Sequence, residues 1–186
     1  WAKSLAVGPG LSMNGVAAEL TRCVLEREDK VRILDADALN IIAAEHIDYK
    51  GSSEGKIIIT PHIMEMSRLT GKTVADIKEH MIESAKEYAI QHSCICILKD
   101  ARTVVTDGQK VYINCTGNDG MSTGGCGDVL TGLIAGMTAM GLDAFEAACL
   151  SVYVHGKAGD YAAAGKGRAG MTAADISEAI AYVLKR

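Results

Sequence analysis

Two hydrophobic rhythms alternate along the chain. Short, mostly apolar runs stand at residues 3–7, 31–34, 57–59 and 94–98 and stop at turn-forming or polar residues, the signature of buried strands. Between and after them, apolar residues recur at helical spacing. Val16, Leu20, Cys23 and Val24 predict a helix over 13–27 with Ser12 as its N-cap, and another helix runs from 35–40 to about His46. A polar Gly/Ser-containing loop at 49–56 precedes the third strand. A short helix then carries Met64, Glu65, Arg68 and Leu69, and Thr73 caps a longer one with Ile77, Met81, Ala85 and Tyr88 on one face. Segments 103–106 and 111–114 flank Asp107-Gly108 and predict a hairpin. Three further helices follow from Leu130, Leu133, Ile134 and Met137; from Phe145, Ala148, Cys149 and Val152; and from Ile176, Ala179, Ile180 and Val183. Gly141 closes the first of these, and Gly132 and Gly136 predict a close contact along it.

Strands alternating with helices predict an α/β fold, a mainly parallel sheet covered on both faces, with the hairpin as an antiparallel piece. No internal repeat or linker divides the chain. In such sheets ligands sit beyond the carboxyl ends of the strands. The unusual motifs all follow strands: Gly8-Pro9-Gly10, Asp35 to Asn40, Thr60 to Glu65, Lys99 to Thr103, and a glycine-rich loop after Asn114. They are therefore expected to converge on one rim.

Composition narrows the class. At 186 residues and 48% apolar, the chain can bury a sizeable core, built from Ile, Leu, Val, Ala and Met because aromatics are few. A net charge of −4 without a basic block argues against a nucleic-acid surface. No apolar run approaches the roughly 20 residues of a membrane span. The six cysteines are scattered without a C-x-x-C; Cys94 and Cys96 read as core thiols, and a cytoplasmic, reducing setting is expected. The start at Trp1, directly before a strand, carries the expectation that further residues precede it.

The chemistry concentrates in the loop from Asn114 to Leu130, with five glycines between Gly117 and Gly127 and then Asp128. A helix starting near Gly127 points free N–H groups and the positive end of its dipole at an anion such as a phosphate. Asp128 can then take a proton from a hydroxyl beside it. The alternative is a mere turn with Asp128 favouring helix initiation. The sequence lacks a Walker A loop, a full G-x-G-x-x-G, an H-E-x-x-H and a recognisable hydrolase triad. His62 reads either as a ligand contact or as a helix cap. Glu65 and Arg68 either serve a ligand or pair with each other. Lys99 reads either as a phosphate or ribose contact or as a solvated lysine. Asp35 and Asp37 read as ligands of a metal-borne or sugar group, or Asp37 as a cap. His155 reads as a satisfied core or subsurface histidine.

Together the ordered motifs resemble the ADP- or ATP-dependent NAD(P)HX dehydratases of the ribokinase-like superfamily. The resemblance rests on Gly8-Pro9-Gly10-Leu11, Asp35 through Asn40, Thr60-Pro61-His62 with Glu65-Met66, Lys99 with Thr103, Thr116-Gly117-Asn118, and Gly124 through Leu130, and it continues to Asp175. Cys126 stands where the family usually has Thr, and Ile63-Met64 replaces the usual Pro-Gly. The family domain also has an N-terminal segment ahead of Gly8 that is absent here. The resemblance implies a single ribokinase-like three-layer α/β/α domain over 1–186, incomplete at its N-terminus, with a missing N-terminal segment or a fused epimerase domain as its expected partner. It implies phosphorylation of the ring hydroxyl of NADHX or NADPHX by ADP (favoured) or ATP with Mg2+, followed by elimination to NADH or NADPH. By the same resemblance Asp128 is catalytic. Gly10, His62, Glu65, Arg68 and Asp128 bind the substrate. Lys99, Asp100, Ala101, Arg102, Thr103, Gly124, Gly125, Cys126 and Gly127 bind the nucleotide, and a homo-oligomer is expected. The competing readings are a ribokinase-like kinase of a small alcohol or vitamin precursor, and a non-catalytic nucleotide-binding fragment.

Overall fold

The computed structural model describes residues 2–52 and 56–185; the expected loop at 49–56 lies partly outside them. Strands β1 (Ser4–Val7), β2 (Val31–Leu34), β3 (Ile57–Ile59) and β4 (Ile95–Leu98) alternate with helices α1 (Gly15–Leu25), α2 (Ala36–Ala44), α3 (Ile63–Thr70), α4 (Val74–Glu79) and α5 (Met81–His92). Strands β5 (Val104–Thr106) and β6 (Val111–Ile113) follow, then α6 (Cys126–Ala139), α7 (Ala144–Lys166) and α8 (Ala173–Val183). Among the described residues the strands form one sheet in the order β1-β2-β3-β4-β5-β6. The first four are parallel, and both β4–β5 and β5–β6 are antiparallel. The sequence suggested only one reversal. The second has a consequence for the site: two reversals return β6 to the direction of β1–β4, so its carboxyl end opens on the same rim as theirs.

The fold is three-layered, and the reason lies in the chain order. Sequential parallel strands joined by crossovers of one hand place all the connecting helices on one face. That face packs Leu34, Ile59, Cys96 and Leu98 against Leu39, Met66, Ile77 and Tyr88 of α2 to α5. The other face, Ile33, Ile58, Ile97 and Val105, is left to the C-terminal half and is covered by Leu130 and Ile134 of α6 and Ala148 and Val152 of α7. Helix α8 packs behind, with Ile176 and Ala179 against Cys126 and Ala158. Cys94 and Cys96 are buried thiols; burial pushes Cys94 up to about 12 and raises Cys96 well above the ordinary thiol value. Among the described residues no helix is long and apolar enough to cross a membrane.

Three local readings are corrected. Asn14, not Ser12, caps α1, accepting the Ala17 N–H at 2.9 Å. Ser12 sits at φ 67° and donates its N–H to Asp37 Oδ2 at 2.8 Å, tying the first glycine turn to α2. The long helix after Thr73 is two helices broken at His80 (φ −125°, ψ 48°); its apolar spacing runs on because Ile77 and Ala85 face the same core. Gly132 and Gly136 are exposed, and a methyl on either would meet nothing within 4 Å. They lie on the outer face of α6, opposite Ile134 and Leu130, and make no close contact.

Candidate nucleotide and hydroxyl site

Four of the five strand-end motifs converge on one cavity, and Gly8-Pro9-Gly10 lies outside it. A cavity of about 710 Å³ opens on the rim, walled by Asp35, His62, Lys99, the 100–103 turn, the 116–119 loop and the start of α6. Topology explains the assembly. Asp35 ends β2, Thr60-Pro61-His62 ends β3 and Lys99 ends β4, so parallel pairing brings them side by side. His62 and Lys99 extend the sheet by one further parallel bridge, and the Lys99 N–H donates to the Pro61 carbonyl at 2.8 Å.

Helix α6 presents its N-terminal turn to the cavity. Gly125, at φ 87°, turns the chain into the helix, and no side chain caps it. Asn14, Thr73 and Asp143 each accept an N–H of the helix they open; α6 lacks such an acceptor, and its first turn faces the cavity at Cys126, Gly127 and Asp128. Asp128 is exposed at this mouth, whereas Gly127 is half-buried. A methyl at Gly127 would stand 3.5 Å from Lys99 Nζ and 3.7 Å from Asp35 Oδ2, so the bare backbone leaves that space to a ligand. Behind it, Lys99 Nζ donates to Asp35 Oδ1 at 2.9 Å, and Thr131 Oγ1 to Asp35 Oδ2 at 2.7 Å.

Of its two readings, His62 fulfils that of the helix cap, and it also lines the cavity. Its Nδ1 accepts the N–H groups of Met64 (3.1 Å) and Glu65 (3.2 Å), while Glu65 Oε2 accepts the His62 N–H at 2.8 Å, a reciprocal capping box. An accepting Nδ1 puts the ring proton on Nε2, and the half-exposed ring also lines the cavity. Partial burial, with Lys99 and Arg68 nearby, lowers its pKa. Burial raises that of Glu65. Glu65 and Arg68 do not pair: Arg68 Nη1 donates to Asn40 Oδ1 at 2.7 Å.

Of the residues singled out from sequence, His62, Glu65, Lys99 through Thr103, Cys126, Gly127 and Asp128 wall the cavity. Gly124 and Gly125 lie just before α6. Gly10, beyond edge strand β1, and Arg68, turned toward α2, stand outside the walls. Sequence reasoning missed Thr131, whose partner Asp35 is 96 residues away. It also missed Asp160, which accepts the Gly117 N–H and the Asn118 amide, each at 3.1 Å, and so pins the loop from α7. His155 is not the satisfied histidine expected: Nε2 is buried without a hydrogen-bond partner, and burial lowers the pKa to about 4. Among the described residues no group of three or more His, Cys, Asp or Glu is arranged to hold a metal.

One six-stranded sheet with helices on both faces, and a cavity on its rim, define a ribokinase-like α/β fold. Within it, the family model for NAD(P)H-hydrate dehydratase matches residues 1–182, and the chain belongs to that family. It is 46% identical to the bifunctional NAD(P)H-hydrate repair enzyme Nnr of Moorella thermoacetica over 97% of this chain and 34% of that protein. It is 33% identical to the ADP-dependent (S)-NAD(P)H-hydrate dehydratase of Neisseria meningitidis over 100% of this chain and 63% of that one. The ADP/ATP-dependent NAD(P)H-hydrate dehydratase of Bacillus subtilis, co-crystallised with ATP/Mg2+, superimposes with a TM-score of 0.88 at 32% identity, covering 97% of this chain and 63% of that one. The chain thus spans about a third of the length of the bifunctional relative and less than two thirds of the others.

Proposed function

We propose that the chain performs the nucleotide-dependent dehydration of NADHX or NADPHX, with ADP as the favoured phosphoryl donor. The observation that carries this is the meeting, in one cavity, of the uncapped α6 N-terminus at Gly127, the Lys99 ammonium and the exposed Asp128 carboxylate. The ring hydroxyl of the hydrate is a poor leaving group. Asp128 accepts its proton as the hydroxyl oxygen bonds to the terminal phosphorus of ADP and the bond to AMP breaks. The α6 N–H groups and Lys99 hold the charge on the moving phosphoryl group. The new phosphate ester then leaves as inorganic phosphate while a ring proton is lost, restoring the reduced nicotinamide. Magnesium on the nucleotide would neutralise phosphate charge during transfer. His62 and Glu65 wall the hydrate side, and the 99–103 turn with Gly127 the nucleotide side. The names of the Neisseria and Bacillus relatives support this reading.

The test is incubation with NADHX and ADP or ATP, following the return of reduced-nicotinamide absorbance. AMP and phosphate should appear in equal amounts with ADP. Absence of NADH with both nucleotides would refute the reading for this chain. Phosphorylation of a small alcohol under the same conditions would instead establish the kinase alternative.

A further inference from the structure

We propose that Asp35 is a positioning residue that holds the Lys99 ammonium and the N-terminal turn of α6 in register above Gly127; the inference rests on the nucleotide reading of this cavity. The sequence offered Asp35 as a ligand for a metal or sugar. The structure engages both its oxygens with the protein. Oδ1 accepts from Lys99 Nζ at 2.9 Å and Oδ2 from Thr131 Oγ1 at 2.7 Å. Asp35 is 1% exposed, and a buried carboxylate persists only when paired and hydrogen-bonded.

The carboxylate is itself anchored. The Asp35 N–H donates to the Val7 carbonyl at 3.1 Å, and the Asp35 carbonyl is seated so tightly beneath the first glycine turn that a methyl on Gly8 would stand 1.7 Å from it. Ala36, the next residue, is held at φ 47°, a left-handed conformation that a side-chain-bearing residue adopts only when its surroundings fix it. One immobile group therefore joins three elements: β2, which carries it; β4, which ends at Lys99; and α6, through Thr131, one turn after Asp128. Buried ion pairs contribute little net stability, but they set geometry. Lys99 is a long, flexible side chain and needs such a partner to keep its ammonium 3.5 Å from the Cβ position of Gly127.

The experiment has two arms. The first labels Lys99 with acetic anhydride, read by peptide mass spectrometry. Asp35→Asn keeps the shape and the Thr131 acceptor but removes the charge, so Lys99 should label about tenfold faster than in the unaltered chain, as loss of a charge-assisted hydrogen bond implies. Equal labelling overturns the inference whatever the enzyme does. The second arm measures NADHX turnover with ADP alongside ADP affinity by calorimetry. Asp35→Asn should lower kcat roughly 10–100-fold, the cost of a misplacement near 1 Å, while the ADP Kd changes by no more than about twofold. In a Lys99→Met background the same change should cost no more than about twofold further. Multiplicative losses, or kcat, affinity and thermal midpoint falling together, would show a merely structural carboxylate and overturn the proposal. Should Asp35→Asn fail to fold, Thr131→Val removes only the hydroxyl and should show the same split at about fivefold in kcat. If the unaltered chain turns over no NADHX, the proposed activity fails and the labelling arm alone decides the role of Asp35.

Discussion

Replacing Gly127 with alanine separates folding from binding because its two effects have opposite signs. Gly127 is the second residue of α6, and its φ is outside the left-handed range. The added methyl meets only Lys99 Nζ at 3.5 Å and Asp35 Oδ2 at 3.7 Å, ordinary contact distances. Alanine there removes conformational freedom from the unfolded chain without strain, a gain of roughly 0.5–1 kcal/mol. For a domain of this size that raises Tm by about 1–4 °C. The same methyl enters the space through which a phosphate would approach the helix N–H groups. Overpacking of this kind costs about 1–3 kcal/mol, so ADP should bind about 5–150-fold more weakly.

Differential scanning with and without ADP reads both effects. In its absence Gly127→Ala should melt higher than the unaltered chain. At saturating ADP the order should reverse, since a thirtyfold weaker Kd removes about 2 kcal/mol of ligand stabilisation. A higher Tm with ADP affinity unchanged within twofold would refute the reasoning and move the phosphate away from the α6 N-terminus. Gly125→Ala cannot substitute for this test. Gly125 lies at φ 87° with Ala173 Cβ 3.1 Å from the methyl position, so strain would lower Tm and weaken binding together.

Asp128→Asn should reduce turnover about 10²–10⁴-fold with ADP binding retained; near-normal turnover in the NADHX assay would remove Asp128 from the role of base. His155, whose folded pKa of about 4 lies below the ordinary 6.5 through burial and the nearby Lys99 charge, makes stability pH-dependent. The unfolded chain binds more protons between pH 6.5 and 4, so stability is full above pH 6.5 and falls as the pH drops, by on the order of 3 kcal/mol at the lower end. Urea midpoints across that range should show the slope, and His155→Asn should flatten it. Gly8→Ala, whose methyl would stand 1.7 Å from the Asp35 carbonyl, should expel β1 from its place and lower Tm by well over 5 °C; a Tm within 1 °C would show that this turn relaxes freely.

What the sequence made legible follows from the range of the interactions involved. Strand runs such as 57–59 and 94–98 are apolar because both sheet faces are covered, and their ends are marked by Thr60-Pro61 and Lys99, so the rim could be read residue by residue. The capping box of His62 and Glu65 is local too, three residues apart. The break at His80 left no trace because α4 and α5 present one apolar stripe to the same core. The pairing of Asp35 with Thr131 spans 96 positions, and that of Asp160 with Gly117 spans 43. No periodicity or motif encodes either. Gly132 and Gly136 misled for a related reason: small size signals a close contact only when something lies opposite, and in α6 nothing does.

These long-range pairings also bear on how the site keeps its shape. The glycine-rich loop lacks a long rigid element of its own, since its residues from Gly117 to Gly125 hold one short 3-10 helix at Asp119–Met121 and a turn closed by the Cys126 N–H on the Thr123 carbonyl. Its geometry is imposed from both sides. Asp160 on α7 fixes the Gly117 and Asn118 end, and Asp35 on β2, through Thr131, fixes the α6 end. The loop can therefore be rich in glycine, as the proposed close approach of a phosphate demands, and still present the α6 N–H groups in one arrangement. On this reasoning the site fails in two distinct ways. Asp35→Asn should uncouple Lys99 and α6 while leaving the 116–118 wall in place. Asp160→Ala should loosen that wall, exposing the Gly117 amide to faster hydrogen exchange, while Lys99 labelling stays slow. If either change produced both effects, the two anchors would be one cooperative unit rather than two supports.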